Sequence, residues 1–469
     1  MKTSKLRSGF RWERDSMGEM EVPVEALYGA STQRAVLNFP ISGKPVRAGL
    51  IHALGWIKQA AAEVNAELGW LDETRAALIS RAASEVASGR HDDQFPVDIY
   101  QTGSGTSTNM NVNEVIANRC ASLEGGVRVH PNDHVNLGQS SNDVFPSAIH
   151  VSAVVEMRGR LIPALDALAG ALERHEVGMR EIFKIGRTHL MDATPVRLGQ
   201  EFGGWARQVR LGAGRVEKAV DCLLELPLGG TAVGTGLNAH PEFARRVIAR
   251  LSGKTGVPFR EAVDHFEAQS ARDACVEAHG QLSVVAVSLH KIASDLRLLA
   301  SGPRCGLGEI RLPETQPGSS IMPGKVNPVI AESVAMVAAR VAGNQTTVTM
   351  CGVGGFLELN VSMPLLAECL LESTELLANV AQVFREKCVE GIEADAGRCA
   401  DGIEQSLSMV TALVPKIGYE RAAAVAKESV VGGETVRMIC EKRLEELGLT
   451  TDELAELLDV ARMTGPGSV

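Results

Sequence analysis

Three apolar stripes recur at helical spacing through the middle of the chain. Val154, Met157, Leu161, Leu165, Leu168 and Leu172 form the first, and Leu282, Val285, Leu289, Ile292, Leu296 and Leu299 the second. Leu366, Leu370, Leu377, Val380 and Phe384 form the third. Steps of three, four or seven residues put each set on one face of a helix. The second stripe alone covers about 27 Å at ~1.5 Å per residue, so it needs partners of equal length, which a bundle of long helices supplies. Pro163 inside the first stripe predicts a kink there. Only 4 Trp, 3 Tyr and 11 Phe occur in 469 residues. A core of Ala, Val, Leu and Ile suits close-packed helices better than a sheet sandwich, where rings are enriched.

The expected fold is therefore mainly all-α, in three consecutive parts. Residues 1–139 are rich in turn signals around short helical stretches such as 48–88. Residues 140–395 hold the central long-helix bundle, and residues 396–469 form a small, more charged helical domain. In the last part Thr450 and Glu453 have capping-box spacing ahead of LAELLD, marking a short terminal helix.

Charge and cysteine usage narrow the functional class. A formal net charge of −10 argues against a nucleic-acid binder, and 45% hydrophobic residues argue against disorder. Nine scattered cysteines without a C-x-x-C pair read as reduced thiols, not a disulfide frame or a zinc site. The amino terminus, MKTSKLRSGFRWERDSMGEM, has no apolar region after its charges, and no later stretch approaches a charge-free membrane span. A soluble cytoplasmic protein is expected, with no membrane and no nucleic acid among its partners.

Four segments interrupt the helical pattern with small polar residues and glycine: QTGSGTSTNMNVNE (101–114), HPNDHVNLGQSSND (130–143), KIGRTHLMDATP (184–195) and PETQPGSSIMPGKVNP (313–328). Taken singly these are what caps and turns require. Four of them, each read as leading into a long helix, point to a composite anion site, because helix N-termini carry partial positive charge. His189, between Thr188 and Leu190 and near Asp192, is the best general acid or base by residue type. Gly318, Ser319, Ser320, Pro323, Gly324 and Lys325 have the composition of a mobile flap, and Lys325 adds a cation for a carboxylate. His91-Asp92-Asp93, and His130 with Asp133, match no strong metal spacing, and His91-Asp92-Asp93 reads as a polar turn. There is no Walker A sequence, and GTGLN and GSGTS lack the context of a dinucleotide fingerprint.

GSSIMPGKVNP (318–328) resembles the signature of the aspartase/fumarase superfamily. From MGEMEVPVEALYGASTQRAV near the start to IGYERAAAVAK at 417–427, the chain is similar to the class II fumarate hydratases over nearly its whole length. The resemblance implies a homotetramer whose long helices pool into one bundle, with each active site assembled from three chains. It implies reversible anti addition of water to fumarate, giving L-malate, with no metal or organic cofactor. Carried over residue by residue, Ser319 is the base for the C3 proton of malate. His189 acts on the hydroxyl through a water and pairs with Glu332. Ser104, Gly105, Thr106, Ser140, Ser141, Asn142, Thr188, Ser320, Lys325, Val326 and Asn327 bind the substrate, and His130, Pro131, Asn132 and Asp133 form a second dicarboxylate site. Stripes of this length are also expected to exceed what one chain can bury alone. The rival within the superfamily, aspartate ammonia-lyase, is disfavoured by Gly324 and by the T-H-L-x-D-A-T-P run at 188–195. A crystallin-like binding homologue is disfavoured because Ser319, His189, Lys325 and Asn327 are all present.

Overall fold

The computed structural model describes residues 7–123 and 127–466. Helices dominate: eighteen α-helices stand among the described residues, and the short strands pair only two at a time. Four helices are long, Leu198–Cys222, Asp273–Leu299, Val329–Gly352 and Met363–Lys387. The second and third stripes lie on two of them, as their spacing predicts. The first stripe is shared by Ser141–Glu156, a wide π-type turn at Met157–Leu161, and Ile162–Gly178. Pro163 accounts for that turn, since it has no N–H for the carbonyl four residues back and its ring pushes that carbonyl aside.

No residue of the three stripes is more than 6 % exposed. One chain therefore buries them by itself, which corrects the expectation that they need neighbouring chains. What one chain leaves open is another side of the second-stripe helix, where Val284 and Val287 are exposed, and a side of Val329–Gly352, where Met336 and Met350 are exposed. Among the described residues, no helix is long and apolar enough to cross a membrane.

The chain groups into two compact units. The first gathers residues up to Pro163 with Ala213–Ala286 and Val337–Asn379; the second gathers Ala164–Gly212, Val287–Met336 and the chain from Val380 onward. In the first, the helix Ala48–Glu67 packs against Glu73–Ala87, Ser141–Glu156 and Phe243–Thr255. A buried polar cluster fixes the register of its long helices. There the ring of His279 hydrogen-bonds Gln345 Oε1 and Ser373 Oγ, both at 2.8 Å, and Asn344 donates to Ser373 Oγ at 3.0 Å. Burial lowers the imidazole pKa, so the ring works there as a neutral linker.

In the second unit, Ile403, Leu413, Val425, Ile439 and Leu454 belong to one core of the C-terminal helices. The Thr450–Glu453 capping box opens Thr451–Leu457 as the spacing predicts. The segment 184–195 corrects the reading of a loop leading into a helix. It is an antiparallel hairpin, Phe183–Thr188 with Met191–Arg197, that only then runs into Leu198–Cys222.

Candidate active site

In the first unit, two helix starts are tied together. Ser104 and Thr106 lie at the start of Thr106–Leu123, with their hydroxyls 2.9 Å apart. The glycines around them are there for close approach. A β-carbon on Gly103 would overlap the Val361 carbonyl, and one on Gly105, whose φ is +73°, would overlap the Phe145 ring. Ser140 caps Ser141–Glu156 in a capping box with Asp143. Asn142 donates its amide to Ala232 O at 2.8 Å, and Asn109 Nδ2 donates to Ser141 Oγ at 3.0 Å. That last bond joins the two helix starts, which together present hydroxyls and partial positive charge.

Asp143 anchors this arrangement from below. One carboxylate oxygen accepts from Ser140 N at 2.9 Å, the other from Gly229 N at 2.9 Å and Thr231 N at 3.0 Å. Burial nevertheless pushes its carboxyl up to about 6. Lys58 lies underneath as well, wholly buried, with Nζ 2.8 Å from Asn136 Oδ1 and 3.0 Å from Gln139 Oε1. Sequence reasoning passed over both residues. The readable signal for Lys58 is its place among the apolar residues Leu50, Leu54 and Ala61 at helical steps, where a lone lysine faces inward.

The segment 130–133 forms a separate polar turn in the same unit. His130 Nδ1 accepts from Asn132 N at 3.3 Å and Asp133 N at 3.2 Å, while His134 Nδ1 accepts from His130 N at 2.8 Å. Asp133 Oδ2 also lies 3.3 Å from His130 Nδ1. One nitrogen cannot both accept from two amides and carry the proton for an ion pair.

The second unit holds the remaining candidates. Thr188 closes one strand of the hairpin, and His189 and Leu190 form its two-residue turn at φ 55° and 62°. That is the left-handed conformation of a tight hairpin turn, which usually takes Asn or Gly and costs a bulky residue about 1–2 kcal/mol. The turn holds the imidazole out from the sheet, where it makes no hydrogen bond within the described residues. Charge at the base of the hairpin holds it. Lys184, 1 % exposed, pairs with Glu201 at 2.9 Å and Glu309 at 3.2 Å, and Arg187 pairs with Glu309 at 2.8 Å. Burial raises the pKa of Glu201, although Lys184 opposes the shift.

The flap is a closed loop over a hollow of about 440 Å³. Gly318 N donates to Lys325 O at 3.0 Å, and Asn327 Nδ2 donates to Gly318 O at 2.6 Å. Gly318 has no room for a β-carbon, which would overlap the Lys325 carbonyl. Ser319 Oγ accepts two backbone N–H groups, Ile321 at 3.2 Å and Met322 at 3.0 Å. Donors aimed at a hydroxyl oxygen favour its anionic form, which is what a serine acting as a base requires. Ser320, Lys325 and Val326 are exposed on the same loop. Glu332 stands in the first turn of Val329–Gly352, and its ion pair within the chain is with Arg297 at 3.7 Å. The chain thus gathers Ser319, Ser320, Lys325, Val326 and Asn327 on one loop and Ser104, Thr106, Ser140, Ser141 and Asn142 around two helix starts. It does not join His189 to Glu332.

The chain is similar to known proteins over nearly its whole length. A family profile described as Lyase matches residues 18–343, and one described as Fumarase C C-terminus matches residues 409–465. A class II fumarate hydratase of Nitrosomonas europaea is 54% identical over 425 residues, covering 90% of this chain and 92% of its own. One of Corynebacterium glutamicum is 52% identical over 461 residues, covering 97% and 96%. Among solved structures, the class II fumarase of Schistosoma mansoni superposes with a TM-score of 0.94 at 37% identity, over 98% of this chain and 100% of that one.

Proposed function

The chain belongs to the class II fumarate hydratase family of lyases, and from that premise we propose how its own residues carry out the reversible anti hydration of fumarate to L-malate. The observation that carries the reading is the pair of backbone N–H groups on Ser319 Oγ. Starting from malate, Ser319 removes the C3 proton. The electron pair moves into the adjacent carboxylate, giving an aci-carboxylate that concentrates charge on a ligand already anionic. The site must hold that charge with many fixed donors, which are effective because they need no reorganisation during the reaction. Lys325, Asn327, Thr188 and the hydroxyls and amide of Ser104, Thr106, Ser140, Ser141 and Asn142 fill this role, with Gly105, Ser320 and Val326 shaping the loops that carry them.

The C2 hydroxyl then leaves with a proton delivered from His189 through a water. Glu332 orients the imidazole. Because one chain leaves His189 without a partner, the proposed site is completed in a homotetramer, three chains supplying its parts. The exposed Val284, Val287, Met336 and Met350 support that assembly, since long helices with apolar residues on a second side want further helices against them. In this assembly residues 140–395 form the shared bundle, flanked by 1–139 and 396–469. The His130–Asp133 turn is proposed as a second dicarboxylate site. Nine free thiols fit a reducing cytoplasm.

The test is a two-substrate assay. Given L-malate alone, the purified protein should develop the ultraviolet absorbance of fumarate, and a chelator should leave the rate unchanged. Absorbance that develops from L-aspartate but not from L-malate would overturn the reading in favour of an ammonia-lyase.

A further inference from the structure

Among the described residues two lysines are almost completely buried, Lys58 and Lys184, and they are satisfied in opposite ways. Lys184 sits between two carboxylates, as a buried cation ordinarily must. Lys58 has no carboxylate within ion-pair distance among the described residues. Its two hydrogen bonds go to the neutral amide oxygens of Asn136 and Gln139. Asp143, the acid whose charge acts on Lys58, already has its oxygens on the Ser140, Gly229 and Thr231 amides. An unpaired cation in the interior is costly and lowers stability, so its retention points to a use for the charge.

The hydrogen bonds around Lys58 lead to the anion cradle. Asn136 Oδ1 accepts not only from Lys58 but from Asn109 Nδ2 at 3.2 Å and Asn113 Nδ2 at 3.3 Å, and Asn109 Nδ2 goes on to Ser141 Oγ at 3.0 Å. The side-chain amide oxygens of Asn109 and Asn113 have no hydrogen-bond partner. The cluster is thus arranged to spend its donors on Asn136 and Ser141. We infer that Lys58 is a positioning residue of the cradle: through Asn136 and Asn109 it fixes Ser141, and its unpaired ammonium supplies the positive potential that a doubly charged ligand needs at the two helix starts. This rests on the reading of Ser140–Asn142 as part of the dicarboxylate site. It also answers a difficulty of that reading, since a chain of net charge −10 cannot attract a dianion by its overall charge.

The electrostatic surroundings of Lys58 are simple. Burial lowers its pKa to about 7; Asp143, on the Ser141–Glu156 helix, opposes the shift, and a dianion bound at the cradle opposes it further, so the ligand selects the charged form. The turn 131–139 and the helix Thr106–Leu123 face it with the uncharged Asn136, Gln139, Asn109 and Asn113. His134 is directed to His130 and lies in the field of Arg75. No charged group of Glu73–Ala87 or Phe243–Thr255 acts on it.

The experiment compares wild type with Lys58→Met, which keeps the apolar stem and deletes the charge. It uses KM and kcat for fumarate and inhibition by succinate and by its monoamide. The expected result is a rise in KM of about tenfold or more with a smaller change in kcat, and a loss of succinate affinity at least several-fold larger than the loss for the singly charged monoamide. A merely structural lysine would weaken both inhibitors alike, and that outcome, or unchanged constants, overturns the inference. If Lys58→Met does not fold, Asn136→Asp serves instead. It is isosteric, neutralises the ammonium, and should give the same selective loss of the dianion; equal loss or none is again against the inference. A wild type that does not act on fumarate at all would fail the functional reading instead, and the succinate-to-monoamide comparison, made by direct binding, would still decide the role of Lys58.

Discussion

Replacing Ser319 by alanine should lower turnover by about 10²–10⁴-fold, the usual worth of a positioned general base, while leaving the fold intact. The loop does not depend on that side chain for closure. It is held by Gly318 N on Lys325 O, Lys325 N on Met322 O and Asn327 Nδ2 on Gly318 O, none of which involves the Ser319 hydroxyl. What the substitution removes is the oxygen to which Ile321 and Met322 donate. Those two amides then face water, which satisfies them on an exposed loop at little cost to stability. The measurement is kcat beside circular dichroism and sedimentation of the same preparation. A folded variant with near-normal kcat would show that another group takes the C3 proton.

The second large effect is on stability. Glu309, 3 % exposed, is the only carboxylate paired with both Lys184 and Arg187 among the described residues. Glu309→Gln keeps the shape and removes the charge, leaving Arg187 without its partner and Lys184 with Glu201 alone. Breaking a buried ion pair on one side costs about 3–5 kcal/mol, because the remaining charge stays desolvated and uncompensated. Urea unfolding of wild type and variant at one protein concentration should show that loss. A midpoint and slope unchanged from wild type would mean that the buried charges are not coupled. Activity should fall too, because Arg187 immediately precedes Thr188 and His189 in the strand that presents them.

Much of this architecture is legible in the residues. The stripes locate the long helices, Pro163 locates the break before Ile162–Gly178, and the spacing of Thr450 and Glu453 marks a real helix start. Each of these is a local matter of a few turns. What periodicity cannot say is which molecule covers a stripe, so the burial of all three within one chain is news from the structure. The hairpin at 183–197 is hidden for another reason. Its turn is His-Leu, not the Asn-Gly that left-handed turns favour, and its strands do not alternate cleanly. Candidate residues at helix starts are readable because caps have a recognisable composition. The groups that hold them are not readable in the same way. Gly103 meets Val361, Ser141 meets Asn109, and Arg187 meets Glu309 across long stretches of chain. Only folding brings these pairs together, and no single one carries a motif.

In an anti hydration one face of fumarate receives the hydroxyl and the other a proton. Fumarate turned over in deuterium oxide reads this directly, from the proton couplings of the malate formed. The account predicts a single diastereomer, with deuterium at C3 anti to the new hydroxyl. Malate carrying deuterium in both C3 positions at random, or syn to the hydroxyl, would contradict it.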